Sequence, residues 1–143
     1  MGWQTIEARN SRYVRTRRYT YDAKARLTSA WRRPCGSADF EFVFSNVYDH
    51  LDRRVQKITP EATHTYFYDG WMLIKEVVAN TNGATNVIEY HWGKDLSGTI
   101  GGAGGVGGLL YVKINGAIYV PFYDNNGNVR ATMGSDPIVA ETP

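Results

Sequence analysis

The chain has 143 residues, of which 43% are hydrophobic and 21% charged, and its formal net charge is +2. These proportions are those of ordinary soluble proteins, and they argue against wholesale disorder and against a coiled coil. Cys35 is the only cysteine, so this chain can build neither an internal disulfide nor a cysteine-based zinc or iron–sulfur site.

The amino-terminal residues Met1 to Asn10 lack the long apolar stretch of a signal peptide. Apolar runs elsewhere fall short of the roughly 18 residues that a membrane-spanning helix needs. We therefore expect no transmembrane segment and no route of export encoded in this chain. If its relatives are secreted, we expect the leader to lie upstream of a fragment.

Positive charge is concentrated in the first part of the chain. Residues 1–57 carry 12 of the 16 Lys and Arg residues but only 6 of the 14 Asp and Glu residues, which gives +6 there and −4 in the remainder. The arginines alternate with polar and aromatic residues, which favours a solvated strand face over a nucleic-acid site. They are Arg9, Arg12, Arg15, Arg17 and Arg18.

Aromatic residues between these arginines leave a second interpretation open, a basic-aromatic module that binds nucleic acid or carbohydrate. Flat rings flanked by positive charge are the side chains on which nucleotide bases stack. The rings concerned are those of Tyr13, Tyr19, Tyr21 and Trp31.

Tyr-Asp recurs along the chain, and an aromatic or β-branched residue stands one or two positions before each Tyr. The copies are Tyr21-Asp22, Tyr48-Asp49, Tyr68-Asp69 and Tyr123-Asp124, and Trp92-Gly93 stands where a further copy would fall. The spacings between the aromatic anchors are 27, 20, 24 and 31 residues. Although irregular, these intervals suit one hairpin-sized unit with loops of variable length.

Each unit has the local pattern of a β-hairpin. In the stretches 67–74 and 122–129 an aromatic strand runs into Asp, Asn or Gly and then into a second β-prone strand. Asn126-Gly127 is the strongest short hairpin signal, and Asn82-Gly83 and Asn115-Gly116 repeat it between further strands. The segment Ser45 to Thr59 also has helical spacing of apolar residues, but its alternation in 53–58 favours a strand. The sequence therefore predicts an all-β chain of consecutive antiparallel hairpins.

Motifs that could carry chemistry fail on their details. The glycine run 101–108 lacks a Gly-Lys-Ser/Thr ending and precedes a strand, so it indicates a flexible connector or a close backbone crossing. The Asp124 loop lacks the acid of a calcium loop, because Ser135 occupies the twelfth position. His50, His64 and His91 are scattered, and neither Ser97 nor Cys35 has a nucleophile motif. We predict no catalytic residue, no cofactor and no metal site, and hence no enzyme.

The Tyr-Asp copies resemble the YD-repeat, or Rhs, family, whose unit is Tyr-Asp, two variable residues, Gly, Arg and an apolar residue. The copy 19–29 follows this pattern with Ala25 in the Gly position, and the copy 48–55 follows it with Asp52 there. The copy 123–129 keeps Gly127 but has Asn128 in place of Arg. The stretches 67–71, 92–98 and 104–110 resemble the Rhs repeat-associated core region.

The resemblance covers residues 19–132, whereas residues 1–18 match poorly and residues 133–143 are predicted to form a flexible tail. It implies hairpins that form a curved sheet strip, part of a secreted or cell-surface β-shell that encloses a carboxy-terminal effector toxin. The implied role is structural rather than enzymatic, and the implied partners are the rest of the parent shell and a toxin or cell-surface ligand.

Carried over residue by residue, the resemblance also assigns structural roles. The strand aromatics that pack between adjacent hairpins would be Tyr21, Tyr48, Tyr68 and Tyr123. The turns would begin at Asp22, Asp49, Asp69 and Asp124, with Arg26 and Arg53 on the returning strands near a carboxylate. The remaining motif residues are Gly70, Trp71, Trp92, Gly93 and Gly127.

Overall fold

The computed structural model describes residues 3–10 and 13–134, with side chains from Thr16 onward. These residues form eleven β-strands and no helix, which confirms the predicted all-β fold. The strands are β1 (Trp3–Asn10), β2 (Tyr13–Tyr21), β3 (Leu27–Arg33), β4 (Glu41–Tyr48), β5 (Arg54–Ile58), β6 (Ala62–Asp69), β7 (Met72–Asn80), β8 (Thr85–Trp92), β9 (Leu109–Ile114), β10 (Ala117–Tyr123) and β11 (Val129–Gly134).

Strand order follows chain order from β1 to β11, as expected for consecutive hairpins. The chain divides into two compact units, and the described residues up to 65, together with 79–83, form the first. The second contains residues 66–78 and 84–134. Of the predicted tail, Met133 and Gly134 end β11, and residues 135–143 lie outside the described part of the chain.

The segment from Ser45 to Thr59 is strand rather than helix, as predicted, but it is divided between two strands. β4 ends at Tyr48, β5 begins at Arg54, and Val47 faces Gln56 in their antiparallel register. The helical spacing of apolar residues in this segment is overridden because Asp49 opens a turn.

The turn at Asn115-Gly116 has the geometry that its sequence predicts. Both residues have positive φ, 48° for Asn115 and 97° for Gly116, which is the signature of a two-residue type I′ hairpin. The turn joins β9 to β10, with Ile114 opposite Ala117.

Little of the sheet is deeply buried. Among the described side chains the buried apolar residues are Ala30, Ala62 and Val78, and no large side chain is fully buried. Stabilisation therefore depends on contacts between neighbouring strands more than on a deep core. Within the described residues no helix is long and apolar enough to cross a membrane.

Candidate structural site: the aspartate turns

The turn after β2 is organised by the carboxylate of Asp22. The Asp22 amide donates to the Arg26 carbonyl at 3.1 Å, and the Ala25 amide donates to the Asp22 carbonyl at 3.1 Å. One carboxylate oxygen, Oδ1, accepts the amides of Lys24 and Arg26 at 2.9 and 3.0 Å. The other, Oδ2, accepts Nε of Arg26 at 2.6 Å. One aspartate thus satisfies the inside of a five-residue turn and fixes the side chain that leaves it.

The turn after β4 repeats this arrangement at Asp49. Its amide donates to the Arg53 carbonyl at 2.9 Å, and Oδ1 accepts the amides of Leu51 and Arg53 at 2.9 and 3.0 Å. Oδ2 accepts Nε of Arg53 at 2.8 Å. Arg26 and Arg53 therefore occupy the last turn position, directly before the returning strands β3 and β5.

The turn after β10 has the same backbone geometry with an amide in place of the guanidinium. The Asp124 amide donates to the Asn128 carbonyl at 3.0 Å, and Oδ1 accepts the amides of Asn126 and Asn128 at 2.9 Å each. Oδ2 accepts Nδ2 of Asn128 at 3.0 Å. In these three turns the side chain at the final position donates to the carboxylate, and either Arg or Asn supplies the donor.

A fourth copy of the turn lies at Asp95, where the Tyr-Asp pattern does not predict it because Lys94 precedes the aspartate. The Asp95 amide donates to the Thr99 carbonyl at 2.9 Å, the Gly98 amide donates to the Asp95 carbonyl at 2.9 Å, and Oδ1 accepts the Ser97 amide at 2.9 Å. The sequence does carry a signal, because Asp95-Leu96-Ser97-Gly98 places Gly three positions after Asp, as in the family unit. The copy anchored at Trp92 therefore turns at Asp95, three residues later.

The carboxylate of Asp95 also holds the glycine run. Its Oδ2 accepts the backbone amides of Ala103 and Gly105 at 2.7 and 3.1 Å, and Oδ1 accepts the Ser97 hydroxyl at 2.5 Å. Residues 101–108 form consecutive turns, and the Gly108 carbonyl accepts the Gly93 amide at 2.8 Å. Asp95 is 6% exposed, and its hydrogen bond from Ser97, together with those from the loop amides, lowers its pKa to about 2.

The turn that follows Tyr68-Asp69 differs from the others. Asp69 is the last residue of β6 and Met72 the first of β7, so Gly70 and Trp71 form a two-residue connection. Gly70 has φ 55°, and Trp71 is 72% exposed. The reason is visible in the sequence, because Gly follows this Asp directly instead of standing three positions later.

The anchor residues before the turns donate to the neighbouring strand. The hydroxyl of Tyr48 donates to the Leu27 carbonyl at 2.9 Å, and that of Tyr123 to the Leu109 carbonyl at 2.8 Å. The indole Nε1 of Trp92 donates in the same way to the Leu73 carbonyl at 2.7 Å. Each anchor thus satisfies a carbonyl near the start of the preceding strand. For Tyr21 the preceding strand is β1.

Successive turns of the first unit are joined by charge. Asp52, in the second turn, accepts Nζ of Lys24 at 2.8 Å and Nη1 of Arg26 at 2.7 Å. Arg26 Nη1 also donates to the Asp49 carbonyl at 3.0 Å. The Arg26 guanidinium therefore bridges its own aspartate and the next turn.

These contacts lower the pKa of Asp22, Asp49, Asp52 and Asp124. Hydrogen bonds from the Arg26 amide act first on Asp22, and the Lys24 ammonium acts first on Asp52. The Asn128 amide lowers the pKa of Asp124, and at Asp49 the hydrogen bonds of Arg53 outweigh the opposing effect of burial. The folded protein therefore favours the ionised form of each of these carboxylates.

Two of the aspartate turns place a non-glycine residue in the left-handed region. Ala25 has φ 59° and Asp52 has φ 65°, at the position where Gly127 has φ 78°. This region costs a residue with a Cβ about 1–2 kcal/mol. Strain is therefore built into both aspartate turns of the first unit.

Replacing Ala25 by glycine should stabilise the protein by about 0.5–1 kcal/mol, because the relief of strain exceeds the greater freedom of glycine in the unfolded chain. Urea unfolding measures the change. The control is Ala23→Gly, two positions earlier in the same turn, where φ is not positive and a loss is expected. A variant Ala25→Gly no more stable than the parent protein would contradict the assigned strain.

The other residues with chemically reactive or metal-binding side chains are not grouped into a site in the described part of the chain. In the described part of the chain no three His, Cys, Asp or Glu side chains lie together in a way that could hold a metal ion. His91 stacks on Tyr111 with ring centres 4.2 Å apart, and Cys35 is exposed with a free thiol. The aspartate turns are thus the polar feature that recurs through the fold.

The fold and its turns define an all-β protein of repeated aspartate-turn hairpins. No family model matches the chain, and no curated protein matches it either. The resemblance to YD repeats rests on the residues quoted above.

Proposed function

We propose that the chain is a non-enzymatic structural segment of a YD-repeat, Rhs-type protein, in which its hairpins form part of a β-shell. The observation that carries this proposal is the recurrence of one turn geometry at Asp22, Asp49, Asp95 and Asp124. These turns close the connections after β2, β4, β8 and β10, so the repeating unit is a pair of strands. Repetition of such a unit is typical of proteins that extend by stacking neighbours.

The side chains that link the hairpins support the same role. Tyr48, Trp92 and Tyr123 each bond to the preceding strand, and Arg26 bonds to the following turn. These bonds join neighbouring hairpins within each of the two compact units. They suit a wall built by adding units.

Apolar residues on the surface supply the second support. Alternate residues of β10, Ile118, Val120 and Phe122, are 42%, 40% and 46% exposed and share one face of the sheet. Met133 of β11 lies opposite Val120 and is 58% exposed. A row of this kind is characteristic of a surface that another layer or copy covers. In the proposed parent, the covering partner is more of the shell or the enclosed effector.

The isolated chain should therefore self-associate, and the triple variant Ile118→Thr, Val120→Thr, Phe122→Thr should be largely monomeric. Threonine retains the preference for strands while removing apolar surface. Sedimentation velocity across a concentration series measures the difference. Val47→Thr is the control, because Val47 is 46% exposed on β4 of the first unit. If the unsubstituted chain stays monomeric at every concentration and its unfolding transition does not depend on concentration, the proposal that a partner covers this apolar face is contradicted.

The parent protein itself provides the direct test. Translation of the coding sequence on both sides of this segment should reveal further Tyr-Asp repeats upstream and an effector region downstream. Electron microscopy of that parent should then show these residues in a β-shell. Flanks without further repeats would overturn the proposal.

A further inference from the structure

A basic cavity lies in the first unit where β3 ends and β4 begins, beside the middle of β2. Its volume is about 490 Å³, and three arginines line it, Arg17, Arg32 and Arg33, together with Glu41. A smaller cavity of about 190 Å³ shares Arg17 and Arg32 and adds Tyr19 and Phe44 to the lining. Arg17 and Arg32 therefore line both cavities, and the smaller cavity is also walled by the half-buried rings of Tyr19 and Phe44.

Charge on this face is unbalanced. Arg17 lies directly opposite Arg32 in the register of β2 and β3, and like charges in that position destabilise a sheet. Glu41, opposite Arg32 on β4, accepts Arg32 Nε at 2.9 Å. The neighbour of Arg17 on β1 is Ile6, which carries no charge. Glu41 thus pairs with Arg32, and the register gives Arg17 no acidic residue directly opposite it on either neighbouring strand.

Arg33 is held separately from this pair. Its Nη2 donates to the buried Thr16 hydroxyl at 3.0 Å, and its guanidinium lies 5.5 Å from the centre of the Phe40 ring. On β1 the residue opposite Thr16 is Glu7, so the register aligns Glu7 with Thr16 and Arg33 and not with Arg17. The excess positive charge at the mouth of the cavity therefore belongs to Arg17 and Arg32.

We propose that this face binds single-stranded nucleic acid, with a phosphate between Arg17 and Arg32 and the adjoining base against Tyr19 and Phe44. A guanidinium fork matches phosphate oxygens in geometry and charge, and a phosphate between the two arginines removes their repulsion. Bases stack on aromatic rings without regard to sequence. Lys57 Nζ, 5.7 Å from the centre of the Phe44 ring, adds positive charge beside the base. This activity is independent of the proposed shell role.

Fluorescence anisotropy with a labelled oligothymidylate of about ten nucleotides tests the proposal. The unsubstituted chain should bind at low salt, and the double variant Arg17→Gln, Arg32→Gln should bind about tenfold or more weakly. Loss of one shared phosphate contact should also reduce the slope of log affinity against log salt by about 0.7. The matched control removes two charges from the second unit, Lys94→Gln with Arg130→Gln, and should change affinity by less than about twofold. No binding at low salt, or equal losses in both double variants, would overturn the proposal.

Two further measurements separate ring contacts and folding from simple charge. Inorganic polyphosphate of matched charge should compete far more weakly than oligothymidylate, because it offers no base to Tyr19 and Phe44; equal competition would overturn the nucleic-acid assignment. Arg17→Glu places opposite charges across β2 and β3, so it should raise the urea midpoint while abolishing oligonucleotide binding. A lower midpoint would contradict the assigned repulsion.

Discussion

Replacing Asp95 by asparagine is expected to destabilise the second unit more than the same change at any other turn aspartate. Asparagine retains one acceptor oxygen for the Ser97 amide but puts an NH₂ group where Oδ2 accepts the amides of Ala103 and Gly105. The buried Gly105 amide then has no acceptor, and an unsatisfied buried donor costs about 1–3 kcal/mol. Urea unfolding at neutral pH measures the loss.

Asp124→Asn is the matched control. The Oδ2 atom of Asp124 accepts the side-chain amide of Asn128, which can rotate to present its oxygen to the new NH₂ group. Backbone amides of the glycine run have no such freedom. Equal losses at Asp95 and Asp124 would show that the hydrogen bonds from Ala103 and Gly105 contribute nothing to stability.

The same carboxylate should make the protein sensitive to acid. The pKa of Asp95 is about 2 in the folded protein against an ordinary value of 3.8, so between these values the unfolded chain binds more protons. The contribution of Asp95 to the free energy of unfolding is therefore complete above about pH 5 and is lost as pH falls from about 4 to 2. Asp22, Asp49, Asp52 and Asp124 act in the same direction.

Urea midpoints measured from pH 7 down to about pH 2.5 separate the share of Asp95 from that of the other carboxylates. The urea midpoint of the unsubstituted chain should fall steeply below pH 4, and that of Asp95→Asn should fall less steeply. The two curves should therefore converge in acid. A constant gap at every pH would contradict the assigned shift.

Much of the fold could be predicted because its signals are local. Asn115-Gly116 tolerates two positive φ angles, and the Tyr-Asp copies at Asp22, Asp49 and Asp124 carry their own capping groups within five residues. The strand interpretation of 45–59 followed from Tyr48-Asp49 and from the alternation in 53–58. At Asp69 the glycine follows the aspartate directly instead of three positions later, and the connection is a two-residue turn.

Features that depend on distant partners could not be predicted. The Oδ2 atom of Asp95 meets amides eight and ten residues later, and only the path of residues 99–105 brings them there. The opposition of Arg17 and Arg32 depends on the register of β2 and β3. The positive φ of Asp52 was not predicted either. In the sequence, Asp52 is only a residue that differs from the glycine of the family unit.

Gly127→Ala should be the most damaging single methyl addition in the second unit, with a loss of about 2–5 kcal/mol. Gly127 has φ 78°, where a residue with a Cβ costs about 1–2 kcal/mol. A Cβ there would also lie 2.6 Å from Val106 Cγ1 and 3.1 Å from Leu96 Cδ1. Overpacking of this kind typically costs a further 1–3 kcal/mol. The turn at Asp124 packs on the Asp95 turn and the glycine run, so the added methyl group forces these segments apart.

Gly116→Ala is the control that separates strain from crowding. Gly116 has φ 97°, but nothing lies within 4 Å of a Cβ built there, so only the conformational cost of about 1–2 kcal/mol is expected. Urea unfolding of both variants gives the difference, and Gly127→Ala combined with Val106→Ala should recover part of the loss because Val106 makes the closest contact. Equal losses for the two glycine variants, or no recovery in the double variant, would mean that the Asp124 turn does not pack against the glycine run in solution. The contact between successive aspartate turns would then be absent from the second unit.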